Sequence, residues 1–449
     1  MSEHAHLSPS ITYLFCAILV GMILCLALEE KLHAKKSVIT GVFAVLALGL
    51  GAGLGILHVE GEGHLPPYIP MIDWSVIVII FGSSLFIDVT SRSGIFSWTA
   101  IKLTKASGGD PVRLLWYYAA ITVVFSAVLN NVTAMIIVGS LTAVSLEKLE
   151  KRDLLLGFLL TEGLLTNIGG LLTLISSIPN IIVGQAAGIS FVEFFYTAAP
   201  YVLVATLATL IMAQKIFGIR KLASEEDKAR ARSQVEAFDE SEGVPSKGFF
   251  SFSWAMLILF ILGIATASAT PVISDLGVGF VAMAFAIVAL VRLKSEPEKA
   301  YVSVDWDLLL FFAYLFIVIH VMEAAEVLSL IGSGIATLIG LGEWGGPFAL
   351  LWSGALASSV TDNVPLAAVL AKILQTAQTA SDSNLWWATV FGCNLGGNFT
   401  PIGSASTLVA VAVIHKNGLE LGFVSFVRRA APFAVLQLAL ASAYVLILL

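Results

Sequence analysis

The chain has 449 residues, of which 58% are hydrophobic and only 12% are charged, and its formal net charge is −7. Soluble proteins carry about 25% charged residues, so this composition excludes an ordinary soluble domain. The negative net charge argues against a nucleic acid as partner. Apolar runs of about 20 residues, the length that a membrane-spanning helix needs, recur along the whole chain. The sequence therefore predicts an all-α polytopic membrane protein that lies in the lipid bilayer.

The predicted elements of the first repeat, residues 1–217, are oriented by their basic residues, because Lys and Arg favour the cytoplasmic side of short loops. Residues 1–10 contain neither residue type and are placed outside. Spans are then predicted at 11–28, 38–57, 72–90 and 194–214, with an interfacial helix at 95–109. The remaining crossing, 154–182, is predicted to be a broken helix because Gly169-Gly170 and Pro179 interrupt it.

One further segment of this half, residues 114–146, is too long for one span and too short for two. Basic residues flank it on both sides, so we expect both ends at the cytoplasmic face. This pattern predicts a re-entrant helical hairpin whose polar tip, Asn130-Asn131, lies at membrane depth. Such a tip is tolerated only where it lines a cavity or is buried in protein.

Residues 218–248 have the charged composition of a solvated linker, and the topology places them in the cytoplasm. The second repeat, 249–449, has the opposite orientation. Its spans are predicted at 251–271, 276–291, 306–321 and 430–449, with a short interfacial helix at 327–341. A hairpin is predicted at 346–378, with its tip at Thr361-Asp362-Asn363, and a broken helix at 386–414. The total is about ten spans and two hairpins, with both chain termini outside. The expected location is the inner membrane of a bacterium.

The two halves repeat the same polar motifs at nearly constant spacing. Asp73-Trp74 recurs as Asp305-Trp306, and the two hairpin tips are separated by the same offset along the chain. Asn167-Ile-Gly-Gly170 recurs as Asn394-Leu-Gly-Gly397 at a slightly smaller offset. Polar, glycine-containing motifs inside apolar helices of antiparallel repeats are typical of secondary transporters. Asp73 and Asp305 begin spans and are predicted to be helix caps.

Other classes of protein receive no support from the sequence. Cys16, Cys25 and Cys393 lie in apolar runs without ligand spacing, so neither a disulfide framework nor a metal site is predicted. The chain contains no His-Glu-x-x-His motif, and we predict neither a cofactor nor an enzymatic activity. A purely structural membrane protein would not need repeated polar breaks in its helices.

The four polar breaks each precede a helix and together form the predicted binding site. Half-helix N-termini present free N–H groups suited to an anion, whereas carbonyl, amide and hydroxyl oxygens suit Na⁺. The backbone alone therefore permits a substrate of either sign. The uncharged candidate residues are Asn130, Asn131, Thr133, Asn167, Ser177, Asn180, Asn363, Asn394, Asn398, Ser404 and Thr407.

Two carboxylates discriminate between these substrates, because ionisable groups inside a bilayer are costly and mark functional sites. Asp362 lies at the second hairpin tip, and Glu162 lies about one turn before Asn167. Both can bind a cation and release a proton in exchange, so we predict both as proton-coupling residues. The alternatives are a plain helix cap for Asp362 and a hydrogen bond from Glu162 to the opposing tip.

These motifs resemble the ion transporter superfamily, in the branch of sodium/proton antiporters and arsenite permeases that also includes the melanosomal P protein. The most specific segments are 126–133, 161–170, 179–180, 387–398 and 402–407, and the resemblance covers about residues 10–449. It implies an inverted-repeat fold, commonly a homodimer, and an elevator-like movement of a transport domain against a scaffold.

Two departures from the family pattern bear on the substrate. The family commonly has Leu-Asp-Asn in the first hairpin where this chain has Leu129-Asn130-Asn131. It also has Gly-Asp-Pro-Pro-Asn where this chain has Ser176-Ser-Ile-Pro-Asn180. The leading hypothesis is Na⁺/H⁺ antiport through Asp362 and Glu162. The loss of two acids favours the alternative, transport of an oxyanion resembling arsenite or of a small carboxylate coupled to H⁺ or Na⁺.

Overall fold

The computed structural model describes residues 7–57, 66–129, 131–241, 243–267, 270–293, 297–361, 363–447 and 449. Throughout these residues the regular structure is helical, without strands. Two predicted site residues, Asn130 and Asp362, lie outside the described residues. Their neighbours Asn131 and Asn363 begin helices, so the structure describes the chain on the C-terminal side of each hairpin tip.

Within its described residues, the first repeat contains ten helices, and a short 3₁₀ turn at Arg152–Leu154 precedes the eighth. They are α1 Pro9–Ala27, α2 Glu29–Leu32, α3 Lys36–Gly53, α4 Trp74–Ser91, α5 Ile95–Ser107, α6 Pro111–Val128, α7 Asn131–Lys148, α8 Leu155–Gly169, α9 Ile178–Ala187 and α10 Phe191–Ile216.

The predicted linker contains α11, and the second repeat follows it in the same order as the first. Its helices are α11 Glu225–Glu236, α12 Lys247–Ala265, α13 Pro271–Arg292, α14 Glu298–Ser303, α15 Trp306–Ala324, α16 Val327–Ile339, α17 Gly342–Ser358, α18 Asn363–Thr376, α19 Asn384–Gly396, α20 Ala405–Lys416 and α21 Phe423–Ile447.

The predicted number of membrane crossings is confirmed. In the described part of the chain, nine helices are long and apolar enough to span a bilayer. Eight of them are single crossings, namely α1, α3, α4, α10, α12, α13, α15 and α21, of which α13 is kinked at Gly277, and the ninth is the hairpin arm α6. The pairs α8–α9 and α19–α20 form the two broken crossings, and α6–α7 and α17–α18 form the two hairpins.

Each of the main helix contacts between the two halves has a counterpart in which each helix is replaced by its equivalent from the other half, as inverted repeats require. Helix α4 packs on α13 as α15 packs on α3, and α7 packs on α20 as α18 packs on α9. The repetition extends to single hydrogen bonds. Trp74 Nε1 donates to Ile69 O at 3.1 Å, and Trp306 Nε1 donates to Tyr301 O at 3.0 Å.

The predicted aspartate caps are also confirmed. The Asp73 side chain accepts hydrogen bonds from the backbone N–H groups of Ser75 and Val76, and Asp305 accepts one from Leu308. These bonds satisfy donors that the first turn of a helix cannot pair internally. The same local chemistry therefore starts the equivalent span in each repeat.

The linker lies against the base of the first hairpin. Asp110 caps α6 and also accepts a hydrogen bond from the backbone N–H of Leu222 at 3.0 Å. Gly109 approaches Ala231 so closely that a Cβ on the glycine would lie 2.7 Å from the alanine Cβ. Lys105 on α5 pairs with Glu240 at 3.5 Å. The cytoplasmic location of the linker stays a prediction.

Close packing between each hairpin and a broken helix depends on equivalent glycines. A Cβ on Gly169 would lie 2.7 Å from the Val123 backbone, and a Cβ on Gly396 would lie 2.3 Å from Ala355 O. Distances this short are steric overlaps, and cores respond to extra atoms by shifting backbone at a cost. Only glycine therefore lets the broken helices lie directly on the hairpin arms.

We expect Gly396→Ala to lower the free energy of unfolding by about 1–3 kcal/mol, the usual cost of overpacking. Gly334→Ala is the matched control, because nothing lies within 4 Å of a Cβ added at this helical position. The control should be neutral or stabilising by about 0.5–1 kcal/mol, since alanine favours a helix more than glycine does. Thermal unfolding of both variants in detergent measures the difference, and equal melting temperatures would contradict the packing argument.

Candidate functional site

The two broken helices place four chain ends next to each other in the protein interior. Helix α8 ends at Gly169 and α9 resumes at Ile178, while α19 ends at Gly396 and α20 resumes at Ala405. Pro179 stands in the first turn of α9, where its missing N–H costs no helical bond. Ser404 caps α20 by accepting a hydrogen bond from the N–H of Thr407 at 3.2 Å.

Two hydrogen bonds, each between an asparagine and a serine, join one break to the other. Asn167 Nδ2 donates to Ser404 Oγ at 2.9 Å, and Ser177 Oγ donates to Asn394 Oδ1 at 2.6 Å. All four side chains are buried. Asn394 Nδ2 also donates to Asn180 Oδ1 at 2.9 Å. Predicted site residues of the two repeats therefore meet in two hydrogen-bonded groups, one around Asn167 and one around Asn394, and we call the two groups together the polar centre.

Asn167 is the most connected member of this centre. Besides Ser404, its Nδ2 donates to Asn398 Oδ1 at 2.8 Å. Its Oδ1 accepts from Ser406 Oγ at 2.9 Å and from Asn131 Nδ2 at 3.4 Å. One amide thus connects the first hairpin tip with the second broken helix, and a buried network of this kind fixes the orientation of every member.

The hairpin tips reach the centre by equivalent contacts. Ser126 Oγ donates to Asn131 Oδ1 at 2.8 Å and to Thr166 O at 2.6 Å. In the second repeat, Ser358 Oγ donates to Cys393 O at 2.6 Å, which is the counterpart of the Ser126–Thr166 bond. Thr133, Asn363 and Thr407 lie in the first turns of α7, α18 and α20.

Three members of the centre were missed at the sequence level, namely Ser126, Ser406 and Gln437. Gln437 Oε1 accepts from Asn398 Nδ2 at 2.7 Å, and its Nε2 donates to Thr209 Oγ1 at 3.0 Å. The available signal in the sequence was a glutamine inside the predicted span 430–449, and the structure buries this residue fully. Its role as the anchor of Asn398 could not be inferred, because the two residues lie on different helices.

We expect Gln437→Leu to destabilise the protein by about 1–3 kcal/mol, because it removes the shorter of the two bonds that the buried Asn398 amide donates and leaves only the bond to Leu164 O at 3.2 Å. The same change should raise the KM for transport, since Asn398 contacts Asn167. Gln375→Leu is the matched control, because Gln375 is exposed and makes one long bond of 3.3 Å to Ala186 O. Wild-type melting temperature and KM in Gln437→Leu would contradict the anchoring role.

Glu162 lies apart from the asparagines, in the interface between α8 and the hairpin arm α7. It is fully buried, and Oε1 accepts a hydrogen bond from Thr142 Oγ1 at 2.6 Å. The partner is three turns along α7 from the tip, so the alternative expectation of a bond to the opposing tip is wrong. Within the described residues, Oε2 has no hydrogen-bond partner.

The charge environment of Glu162 is unusual. Among the described residues it is the only buried carboxylate, and no Lys, Arg or His is buried. A buried carboxylate without a cation costs several kcal/mol while it is charged. The group therefore needs a proton or a metal cation to neutralise it. No cluster of three or more His, Cys, Asp or Glu that could hold a metal ion occurs within the described ranges.

Comparison with known proteins gives one family and several relatives. The family described as "Citrate transporter" matches residues 23–392. An "Uncharacterized transporter" of Mycobacterium tuberculosis is 28% identical over 422 residues, which cover 93% of this chain and 94% of that protein. The "Arsenical pump membrane protein" of Escherichia coli is 24% identical, covering 90% and 93%. The "P protein" of Mus musculus is 23% identical over 97% of this chain, which spans 62% of that protein.

The fold also resembles a solved structure. It aligns with the YdaH transporter of Alcanivorax borkumensis, whose topology is described as unusual, at a TM-score of 0.61. The alignment covers 92% of this chain and 98% of that one at 14% sequence identity. At this identity the likeness shows the fold alone, and it agrees with the inverted repeat, hairpins and broken helices described above.

Proposed function

The chain belongs to the citrate transporter family, and we propose that it is a secondary active transporter that exchanges Na⁺ for H⁺ by alternating access. The observation that carries the proposal is Glu162, a buried carboxylate with one unpaired oxygen and no cationic partner among the described residues. Such a carboxylate can exchange a bound proton for a bound cation, and its charge is neutralised in both states.

In the proposed cycle, Glu162 and Asp362 each alternate between a proton and a cation. Oxygen ligands suit Na⁺, and amide oxygens near the breaks, from Asn131, Asn167, Asn363 and Asn394, complete its shell together with Asp362. Glu162 lies apart from these asparagines and is a separate exchange position. Release of Na⁺ on one side leaves carboxylates that take up protons there. The protonated site reorients, releases its protons on the other side and binds Na⁺ there, and a second reorientation with Na⁺ bound returns the site to its starting state. The inverted repeats supply the two orientations.

The second candidate is transport of an oxyanion resembling arsenite, or of a small carboxylate, coupled to H⁺ or Na⁺. It is supported by the uncharged side chains of the polar centre and by the sequence, which has Asn130 where the family it resembles commonly has an aspartate. The half-helix N-termini at Ile178 and Ala405 present N–H groups that suit an anion. The description of the family as a citrate transporter and the name of the arsenical pump relative agree with an anionic or oxyanionic substrate.

Proton flux in proteoliposomes with a preset pH gradient tests the two candidates. Na⁺, Li⁺ and K⁺ are added first, followed by citrate and arsenite, with Asp362→Asn as the diagnostic variant. We expect Na⁺ or Li⁺ to dissipate the gradient in the wild type and not in the variant. A wild type that ignores every cation and responds only to an anion would overturn Na⁺/H⁺ antiport and support the second candidate. The proposed assembly is a homodimer in the inner membrane of a bacterium, with the linker in the cytoplasm.

A further inference from the structure

A second group of buried polar side chains lies near the base of the first hairpin, away from the asparagines. Tyr118 on α6 places its hydroxyl 2.7 Å from Ser145 Oγ and 2.8 Å from Thr104 Oγ1. Thr104 lies on α5 and Ser145 on α7, so three helices contribute one hydroxyl each. All three residues are buried. Burying a hydroxyl costs free energy unless it is paired, and the proposed exchange site does not use this group.

The hydroxyl cluster continues towards Glu162. Thr142, which donates to Glu162 Oε1 at 2.6 Å, precedes Ser145 by three residues on α7. Residues at this spacing are neighbours on one face of a helix, about 5–6 Å apart between Cβ atoms. Thr142 and Ser145 share no direct hydrogen bond here, so a path from Glu162 to the cluster of Ser145, Tyr118 and Thr104 needs a water between these two hydroxyls.

At its other end, the cluster meets the turn between α5 and α6. Ser107 Oγ donates to Thr104 O at 2.6 Å and accepts from Gly109 N at 3.0 Å. The next residue, Asp110, is only part-buried and begins the hairpin. The hydroxyl cluster therefore ends at Thr104, one helical turn before Ser107 at the base of the hairpin, and Thr104 Oγ1 also lies 2.9 Å from Ala100 O.

The second repeat lacks this line of hydroxyls, although it contains the same helices. At the offset that relates Asp73 to Asp305, the positions equivalent to the four hydroxyl residues are nonpolar: they are Ala336, Leu350, Leu374 and Ala377. At the offset that relates Asn167 to Asn394, the position equivalent to Glu162 is Thr389. The fold therefore forms without these hydroxyls, and they occur only in the repeat that carries the buried glutamate.

We propose that Thr142, Ser145, Tyr118 and Thr104 form a relay that moves protons between Glu162 and the base of the first hairpin. The inference rests on the proton coupling proposed above and names its path. Glu162 gives its proton to the Thr142 hydroxyl after that hydroxyl has turned its own hydrogen away from Oε1. Thr142 passes its hydrogen through a water to Ser145, each further hydroxyl passes its own proton to the next, and water at the hairpin base takes the last one. One proton crosses, Glu162 is left ionised to receive the cation, and no hydroxyl keeps a charge.

Charged neighbours do not interrupt the line. On α5, Lys105 is paired with Glu240, and on α7 the Lys148 ammonium lies 4.4 Å from the Phe238 ring centre. On α6, Tyr118 is itself a member of the relay. Among the described residues, the nearby lysines of α5 and α7 thus have partners outside the relay.

The test is Tyr118→Phe, which removes one hydroxyl and keeps the ring. The matched control is Tyr444→Phe, which removes a hydroxyl that donates to Thr197 O at 2.6 Å. We expect Tyr118→Phe to slow coupled proton flux at least about tenfold, because a positioned proton-transfer group contributes that much or more. Equilibrium exchange of radioactive Na⁺ at equal concentrations, which needs no net proton movement, should stay at the wild-type rate.

Two further variants separate a relay from a merely structural role. Ser145→Thr keeps a hydroxyl and should retain flux, whereas Ser145→Ala should lose it. The double variant Tyr118→Phe/Ser145→Ala should be no slower than Tyr118→Phe alone, since both changes interrupt one path. Multiplying losses would indicate two separate structural effects and overturn the relay.

The outcomes distinguish the relay from the proposed function. Unchanged proton flux in Tyr118→Phe, with a wild type that responds to Na⁺, overturns the relay and leaves Na⁺/H⁺ antiport intact. A Tyr118→Phe variant that loses flux and Na⁺ exchange together also overturns it, because binding itself has then been damaged. A wild type without cation-driven flux rejects the proposed function before any variant is compared.

Discussion

Glu162→Gln is expected to abolish cation-driven proton flux, with a loss of at least about 100-fold, the lower end of what a positioned proton-transfer group contributes. Glutamine has nearly the same shape and can still accept the hydrogen bond from Thr142, which holds Glu162 Oε1 at 2.6 Å. The change therefore removes the exchangeable proton and the negative charge while it preserves packing. Proton flux and Na⁺ uptake in proteoliposomes should fall together.

The matched control for Glu162→Gln is Thr389→Val in the equivalent position of the second repeat. Thr389 is equally buried, and its hydroxyl bonds only within its own helix, to Leu385 O at 2.8 Å. We expect its transport to stay within about twofold of wild type, because the loss of such a helical back-bond changes stability only slightly. Normal flux in Glu162→Gln would show that Glu162 is a structural acid.

The sequence predicted the fold closely because its signals are local and occur twice. Asp73 and Asp305 start equivalent spans, and the glycine pairs after Asn167 and Asn394 end equivalent half-helices. Basic residues on both flanks of the first hairpin distinguished it from a crossing. Each of these signals depends on a few neighbouring residues, so apolar run length and charge were sufficient to identify them.

The pairing inside the site could not be predicted in the same way. Asn167 and Ser404 are 237 positions apart, and a spacing that identifies each motif does not say which residue meets which. The same reason hid Thr142 as the partner of Glu162 and Gln437 as the partner of Asn398. These contacts depend on how three or four helices cross. Hydrophobic patterning identifies the buried face of each helix, but not the residues that meet across it.

Asn167→Ala is expected to reduce kcat/KM for transport by about 100-fold, because two or more buried partners lose hydrogen bonds at about 1–3 kcal/mol each. Ser404 loses a donor, and so does Asn398, while Ser406 loses its acceptor. Asn384→Ala is the matched control, since Asn384 makes one bond, to Val445 O at 3.1 Å, outside the polar centre.

The asymmetry of the two asparagines sharpens this prediction. Asn167 contacts both the first hairpin and the second broken helix, whereas Asn394 bonds Ser177 and Asn180 of the first broken helix and Val390 of its own. If the amides only hold the breaks together, Asn394→Ala should destabilise as much as Asn167→Ala and slow transport equally. If Asn167 also supplies a ligand oxygen, only Asn167→Ala should raise the KM for the transported ion, and this rise should exceed what its loss of melting temperature accounts for. Parallel measurements of KM and thermal unfolding on both variants decide between these two roles.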